Sequence, residues 1–352
     1  MLKHIDIRIS SVEPLVSPEA LAARYPVSEE LTQSILASRR RVNDIIQGKD
    51  DRLLAIVGPC SLHDPDAALD YARHLKVLAE EVSDKMFVVM RTYFEKPRTI
   101  GGWKGLILDP SMNGSYDIQK GIETARKLLI DIVSMGVPVG CEMLDPIVPQ
   151  YIDEMLSWCS IGARTTESQT HRTLASGMSV AVGFKNSTSG EIATAVNAIK
   201  SARQSAAFIG IDKSGNTAIY RTTGNDCGHL ILRGGDHAPN YYEEDVEAAA
   251  ALMEKMSLPP SIIIDCSHAN SRKDAKRQKR VLRAVIDQVV WGKSEIKGFM
   301  IESNLVPGCQ AIPADPKDLV YGLSVTDNCI GWEETEEALR KAAAVLRNGK
   351  QE

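Results

Sequence analysis

Four residues far apart in the chain form a donor set. Cys60, His268, Glu302 and Asp327 are a thiol, an imidazole and two carboxylates, ligands that suit a borderline divalent cation such as Mn, Fe, Co or Zn. No local spacing marks them as a metal motif. A lone cysteine is more often packing and a lone histidine more often a satisfied polar group, so only a fold that gathers the four makes them a centre. A second group is cationic: Arg91, Lys96, Arg98, Arg164, Lys185 and Arg233. Guanidinium forks match phosphate and carboxylate bidentately, and lysine adds a point charge. The net charge is −5, so these cations form a local feature within an acidic protein. Gathered at one site they require polyanionic ligands, with two phosphates and a carboxylate as a matching set. The plainer reading pairs some of them with nearby acids such as Glu95 or Glu167.

The elements that must position these groups recur in a rhythm. Apolar runs at Leu53–Val57, Phe87–Met90, Val137–Cys141, Ile161–Ala163, Val180–Phe184, Leu230–Leu232, Ile262–Cys266 and Phe299–Ile301 read as strands. Helical patterns lie between them at Ala67–Val82, Ile118–Met135, Ile192–Ala207, Val246–Met256 and Lys276–Val290, with a last helix over Glu334–Leu346. Strands alternating with helices pair in parallel. Eight such units predict an α/β fold, a (β/α)8 TIM barrel, over residues 51–352, with an open doubly wound sheet as the alternative. Each run is followed by a reactive residue: Cys60, Arg91, Glu142, Arg164 (after Ala163), Lys185, Arg233, His268 and Glu302. Barrel enzymes carry their chemistry at these strand ends.

Two parts stand outside the rhythm. Residues 1–50 read as an arm, with a strand at Ile5-Asp6-Ile7-Arg8-Ile9, a helix over Leu31–Ile46 and Gly48 as its stop. Within residues 208–225, alternating segments flank Lys213-Ser214-Gly215-Asn216, the signature of an inserted β-hairpin. Gly101-Gly102-Trp103-Lys104-Gly105 reads as a loop over the mouth or a plain turn, and Lys276–Arg280 as a solvated helix face. Aromatic content is only 5%, which argues against base-stacking platforms and a nucleic-acid partner. No segment has the apolar length of a membrane span. Seven cysteines without paired spacing, and an N-terminus without a signal-like apolar run, predict reduced thiols and a cytoplasmic chain.

The motifs GPCS, MRTYFEKPRT, GARTTESQTHR, VGFKN, ILRGG, DCSHAN, IESN and SVTDNCIGW together resemble the type I 3-deoxy-D-arabino-heptulosonate 7-phosphate (DAHP) synthases of bacteria and fungi, which carry an N-terminal arm and an internal hairpin. The likeness runs over nearly the whole chain. It implies a transferase that condenses phosphoenolpyruvate with D-erythrose 4-phosphate and water, giving DAHP and phosphate, the first step of the shikimate pathway to aromatic amino acids. It implies a divalent metal on Cys60, His268, Glu302 and Asp327. It implies a phosphoenolpyruvate site of Arg91, Arg164, Lys185 and Arg233, lined also by Glu142 and Ala163. Lys96 would lie between the two substrates, and Arg98 and Thr99 near the sugar phosphate. Lys96 or Lys185 would supply a proton, with Cys60 and His268 also in the catalytic set.

A homodimer or homotetramer is expected, with the arm Leu2–Pro14 on a neighbouring subunit. The resemblance also implies an aromatic amino-acid effector in a pocket remote from the active mouth, built by Pro149, Gln150, Ser179, Phe208 and the partner's arm near Asp6. Gly210 leaves room there for a phenolic hydroxyl, which favours tyrosine over phenylalanine, with tryptophan as the rival. The competing functions are a related phosphoenolpyruvate-condensing synthase with another aldose, and a non-catalytic phosphosugar-binding regulator.

Overall fold

A computed structural model of the chain describes residues 5–98 and 100–349. Eight parallel strands close into a barrel: β1 (Leu53–Gly58), β2 (Met86–Arg91), β3 (Val139–Glu142), β4 (Leu156–Ile161), β5 (Ala181–Lys185), β8 (Gly228–Leu232), β9 (Ile262–Asp265) and β10 (Ile296–Glu302). They follow one another round the barrel in chain order, and β10 returns to β1 with Gly58 opposite Glu302. Two further strands, β6 (Ala207–Ile211) and β7 (Thr217–Arg221), form the antiparallel hairpin inserted before β8. The (β/α)8 expectation therefore holds and the open sheet does not.

The strands are buried on both faces because helices cover the outside while side chains fill the inside. The fill alternates large with absent side chains. Trp158 lies against Gly140, where a Cβ would come within 2.8 Å of the indole. His229 lies against Gly183, where a Cβ would come within 2.7 Å of the imidazole. Trp158 Nε1 donates to His229 Nε2 at 3.0 Å, so both buried polar atoms are satisfied.

The helix Glu29–Ile46 closes the N-terminal end of the barrel. Ser28 caps it by accepting from the Leu31 amide, and Gly48 beyond its end has φ +71°. Its Arg39 donates to the Leu156 carbonyl at the start of β4 at 2.8 Å. Val42, Ile45 and Ile46 join Trp158, Ile231 and Met300 in one apolar cluster. With that end sealed, the opposite mouth is the open one.

Some expectations are corrected. Ile5–Ile9 is not a strand: the segment has no partner strand among the described residues, and Ile5, Ile7 and Ile9 are exposed. Alternation supplies a face but cannot supply the neighbour to pair with. The fourth strand is Leu156–Ile161, not Ile161–Ala163; its serines disguised it, since Ser157 and Ser160 are buried. The helix begun near Ile192 stops at Ala202, and Ala207 already belongs to β6. The glycine-rich segment at 101–105 is a pinned turn: Trp103 Nε1 donates to the Asp109 carbonyl at 2.7 Å, and Lys96 N donates to the Lys104 carbonyl.

Burial lowers His229 from 6.5 to about 4. Between these values the unfolded chain takes up a proton that the fold refuses, so stability rises with pH there and is lost as pH falls through the window. The loss approaches about 3 kcal/mol by pH 4. Chemical denaturation from pH 7 to 4 should show a shallower pH slope for His229→Gln than for the native chain, and equal slopes would remove His229 as the cause.

Candidate active site

The reactive strand ends meet at the mouth that the helix leaves open. β1 delivers Cys60, β2 Arg91, β5 Lys185, β9 His268 and β10 Glu302; Asp327 arrives from the loop after β10. Cys60 Sγ, a Glu302 carboxylate oxygen and an Asp327 carboxylate oxygen lie within 4.8 Å of one another. The Cys60 thiol reaches Asp327 Oδ2 at 3.4 Å, and Lys96 Nζ reaches the same sulfur at 3.0 Å. His268 stands slightly apart, its Nε2 3.9 Å from Glu302 Oε1.

His268 is fixed from behind. Its Nδ1 lies 2.7 Å from Ser267 Oγ, which donates onward to Asp265 Oδ1 at 2.6 Å. Nδ1 is also 2.9 Å from Asp265 Oδ2. These contacts occupy Nδ1 and leave the Nε2 lone pair facing the carboxylate cluster, the arrangement found behind metal-bound imidazoles. The residue sits at φ +51°, in the left-handed region, and strain of that kind concentrates at functional sites.

The charges balance in buried pairs. Arg91 Nη2 meets Glu302 Oε1 at 3.2 Å, its Nε donates to the Pro59 carbonyl, and its guanidinium lies 4.0 Å over the Tyr93 ring. Lys185 Nζ lies 3.3 Å from Asp265 Oδ2. The acids that hold the buried cations are thus Glu302 and Asp265, not Glu95. Burial works against charge on Asp265, but His268 and Lys185 outweigh it and hold the carboxyl well below the usual range. Burial also opposes charge on Lys96, yet Cys60, Glu302 and Asp327 keep its ammonium protonated. The Cys60 thiol is pushed up to about 12, by burial first and then by Glu302. Glu95 is raised to about 8 by burial, with Asp145 and Glu142 adding to it.

Two cavities open at the mouth. One of about 690 Å³ is lined by Arg164, Arg233, Arg272 and Lys273; one of about 120 Å³ by His268, Glu302, Asp327 and Lys273. Arg91 Nη1 and Glu142 Oε1 are buried without a hydrogen-bond partner among the described residues, and such groups are costly unless a ligand or water meets them. Glu142 lies against the backbone of Gly162, where a Cβ would come within 2.3 Å of its carboxylate. Ala163 follows, half-buried, beside the exposed Arg164. Arg98 is exposed, with its Nε donating to the Trp103 carbonyl at 2.9 Å. Thr99 lies outside the described residues.

Sequence reasoning missed the supports. In the sequence Asp265 stands only as part of a strand and a motif. Three buried asparagines lace the loops together. Asn186 Oδ1 accepts from the Arg233 amide and from Asn240 Nδ2. Asn240 Oδ1 accepts from the Gly234 amide, and Asn240 N donates to Asn270 Oδ1. Asn270 Nδ2 donates to the Leu232 and Asp265 carbonyls. In the basic run, Gln278 is buried rather than solvated and bonds both the amide and the carbonyl of Glu302. For Asn186 alone, its place directly after the strand-end Lys185 was an available signal, because a short amide there serves two loops at once.

The residues expected around an effector lie on the hairpin side of the barrel. Phe208 stacks on Tyr220, ring centroids 5.2 Å apart. Lys213 Nζ in the hairpin turn donates to the Gln150 carbonyl beside Pro149, and Glu19 N donates to the Lys213 carbonyl. A Cβ on Gly177, two residues before Ser179, would lie 3.8 Å from Phe208. One on Gly210 would press on the Tyr220 ring at 3.1 Å. Asp6 is exposed, at φ +53°.

A closed parallel barrel with a thiol, imidazole and carboxylate cluster beside buried cations defines a barrel enzyme built for anionic substrates. The chain belongs to the DAHP synthetase I family, whose model matches residues 24–340. It is 51% identical over 336 residues to the Tyr-sensitive phospho-2-dehydro-3-deoxyheptonate aldolase of Escherichia coli strain K12, covering 96% of this chain and 94% of that protein. It is 48% identical over 346 residues to the Trp-sensitive enzyme of Enterobacter agglomerans, covering 98% and 99%. The solved structure of the phospho-2-dehydro-3-deoxyheptonate aldolase from Francisella tularensis SCHU S4 superposes with a TM-score of 0.94 at 45% identity, covering 97% of this chain and 99% of that one.

Removing Asp265 leaves Lys185 buried without its counter-charge. Asp265→Ala should lower stability by about 3–5 kcal/mol in urea unfolding, and Asp265→Asn by less. A loss below 1 kcal/mol for Asp265→Ala would show that the pairing with Lys185 is energetically idle.

Proposed function

We propose that this chain condenses phosphoenolpyruvate with D-erythrose 4-phosphate and water to give DAHP and phosphate, using a divalent metal held by Cys60, His268, Glu302 and Asp327. The observation that carries the reading is the gathering of that donor set next to the Lys96 ammonium and the cationic cavity. Three of the donors fit a small cation as they stand: the ligand atoms of Cys60, Glu302 and Asp327 lie within 4.8 Å of one another, which suits bonds of about 2.0–2.3 Å to a shared ion, and His268 Nε2, 3.9 Å from Glu302 Oε1, would be the fourth. Such an ion supplies Lewis-acid polarisation of a carbonyl.

The chain's own groups do the rest. Arg164, Arg233 and Lys185 hold the phosphate and carboxylate of phosphoenolpyruvate, and the unpartnered Nη1 of Arg91 completes that cradle. Arg98, with Thr99, holds the sugar phosphate at the outer side. The methylene carbon of phosphoenolpyruvate attacks the aldehyde carbon, and the aldehyde oxygen takes a proton. Lys96, kept protonated between the thiol and the carboxylates, is the donor this arrangement favours over Lys185, whose ammonium faces Asp265. Water adds at C2 and phosphate leaves by C–O cleavage. Fixed cations on both anions contribute positioning as much as charge.

We assign residues 51–352 to the catalytic barrel and residues 1–50 to assembly and regulation, with the helix Glu29–Ile46 serving also as the barrel's floor. The arm's exposed isoleucines at 5, 7 and 9 suit cover by a second subunit in a homodimer or homotetramer. An aromatic amino acid bound near Pro149, Gln150, Ser179, Phe208 and the partner's arm at Asp6 would inhibit. Tyrosine is favoured, with Gly210 leaving undisturbed the Phe208–Tyr220 stack on which a Cβ would press at 3.1 Å. The name of the Escherichia coli relative agrees with that choice.

Turnover is tested by phosphate release with both substrates. Chelation should abolish activity and metal readdition restore it, while Cys60→Ala should lose metal and turnover but keep its fold by circular dichroism. A fully active chelated enzyme would sink the metal assignment. Arg164→Ala should raise KM for phosphoenolpyruvate at least about tenfold, since a charge-assisted contact contributes about 1.5–3 kcal/mol, and Arg98→Ala should raise KM for the sugar phosphate instead. The opposite split would exchange the two pockets.

Inhibition is tested by a dose series of the three aromatic amino acids. Native chain should respond most to tyrosine. Gly210→Ser should weaken that response and change the order; an unchanged order, or a native preference for phenylalanine, refutes the argument from space at 210.

A further inference from the structure

A second cationic cavity lies outside the reaction site. Its volume is about 250 Å³, and Tyr241, Tyr242, Asn270, Arg272, Arg277 and Arg280 line it. No carboxylate contributes to its lining, in a protein whose net charge is −5. Arg277 Nε lies 3.4 Å from Asp274 Oδ2. Arg272 and Arg280 form no salt bridge among the described residues. The two tyrosines add directed donors. The buried Tyr241 hydroxyl donates to Tyr242 Oη at 3.3 Å, and the rings lie 4.3 Å apart. The Tyr242 hydroxyl accepts that bond and has no acceptor of its own among the described residues, so its proton is available to the cavity.

The cavity also has a built connection to the reaction site. Arg272 lines both this cavity and the one that holds Arg164 and Arg233. Arg272 and Lys273 are consecutive non-glycine residues in the left-handed region, at φ +54° and +60°, a conformation that the fold must enforce. The enforcing bonds are Arg272 N to the Ala269 carbonyl and Lys273 N to the His268 carbonyl. Asn270, at the cavity wall, has its amide fully engaged with Asn240, Leu232 and Asp265, so it shapes the wall and is not a ligand.

We propose that this cavity is an outer anion site for a phosphate group, taken as inorganic phosphate or a phosphate monoester, bound by Arg272, Arg277, Arg280 and the Tyr242 hydroxyl. Guanidinium forks and a phenolic donor around a carboxylate-free space match a tetrahedral oxyanion. Arg272 makes the outer site a neighbour of the inner one, so an anion there meets the loop that carries His268.

The test is calorimetric titration of the full chain with inorganic phosphate and, separately, with glycerol 3-phosphate, at constant ionic strength set by chloride. Native chain should show two classes of site. Arg277→Ala/Arg280→Ala should weaken one class at least about tenfold and leave the other, whereas Arg233→Ala should do the reverse. Tyr242→Phe, which keeps every guanidinium, should weaken the same outer class. Loss confined to inorganic phosphate identifies the free ion as the occupant, and loss for both probes identifies phosphate monoesters as well. A single class in the native chain, removed by Arg233→Ala, overturns the proposal, as does a double variant that keeps both classes. The readout is binding, so its outcome is separate from that of the turnover assays.

Discussion

The molecule is organised by the need to hold two buried cations, Arg91 and Lys185, and the half-buried Lys96, without letting them repel one another. Each is placed against an anion or a potential anion: Glu302, the Cys60–Asp327 pair and Asp265. Desolvating such charges is expensive, and only good geometry recovers the cost. A barrel supplies that geometry because neighbouring strand ends are fixed by the sheet register. Gly58 opposite Glu302 on β1 and β10 puts the residues that follow β1 beside the carboxylate at the end of β10.

Rigidity below the mouth follows from the same constraint. The interior is filled by Trp158 and His229 over two glycines, and the end is sealed by a helix whose arginine grips the start of β4. A floor of this kind cannot shift by a fraction of an ångström without overlap. The polar layer above therefore keeps its distances even where its own hydrogen bonds are incomplete, as at Arg91 Nη1 and Glu142 Oε1.

Much of this is legible in the sequence. Apolar runs ending in Cys60, Arg91, Lys185, His268 and Glu302 located the mouth, because burial on both faces makes barrel strands continuous in hydrophobicity. What escaped was polar and internal. Ser157 and Ser160 hid a strand, since a serine buried inside a barrel looks like a loop residue. Asp265 escaped because an acid within an isoleucine run is ambiguous until its partners, Lys185 and His268, are known. The arm misled in the other direction, its period-2 pattern having no pairing partner among the described residues. Asn186, Asn240 and Asn270 gave no periodic signal, because their roles depend on contacts between different loops.

That asparagine lattice has a consequence for how the scaffold can change. The loops after β5, β8 and β9 share side-chain amides, with Asn186 serving Arg233 and Asn270 serving both Leu232 and Asp265. Barrels usually diversify by exchanging one loop at a time on a constant frame. Here a transplanted segment after β8 would arrive without the Asn240 side chain, take one of the two donors from Asn186 Oδ1 on the loop after β5, and displace the backbone amide that meets Asn270 Oδ1 on the loop after β9. This third of the rim is inherited as a block, and variation is steered to the hairpin and the arm, which share none of these amides.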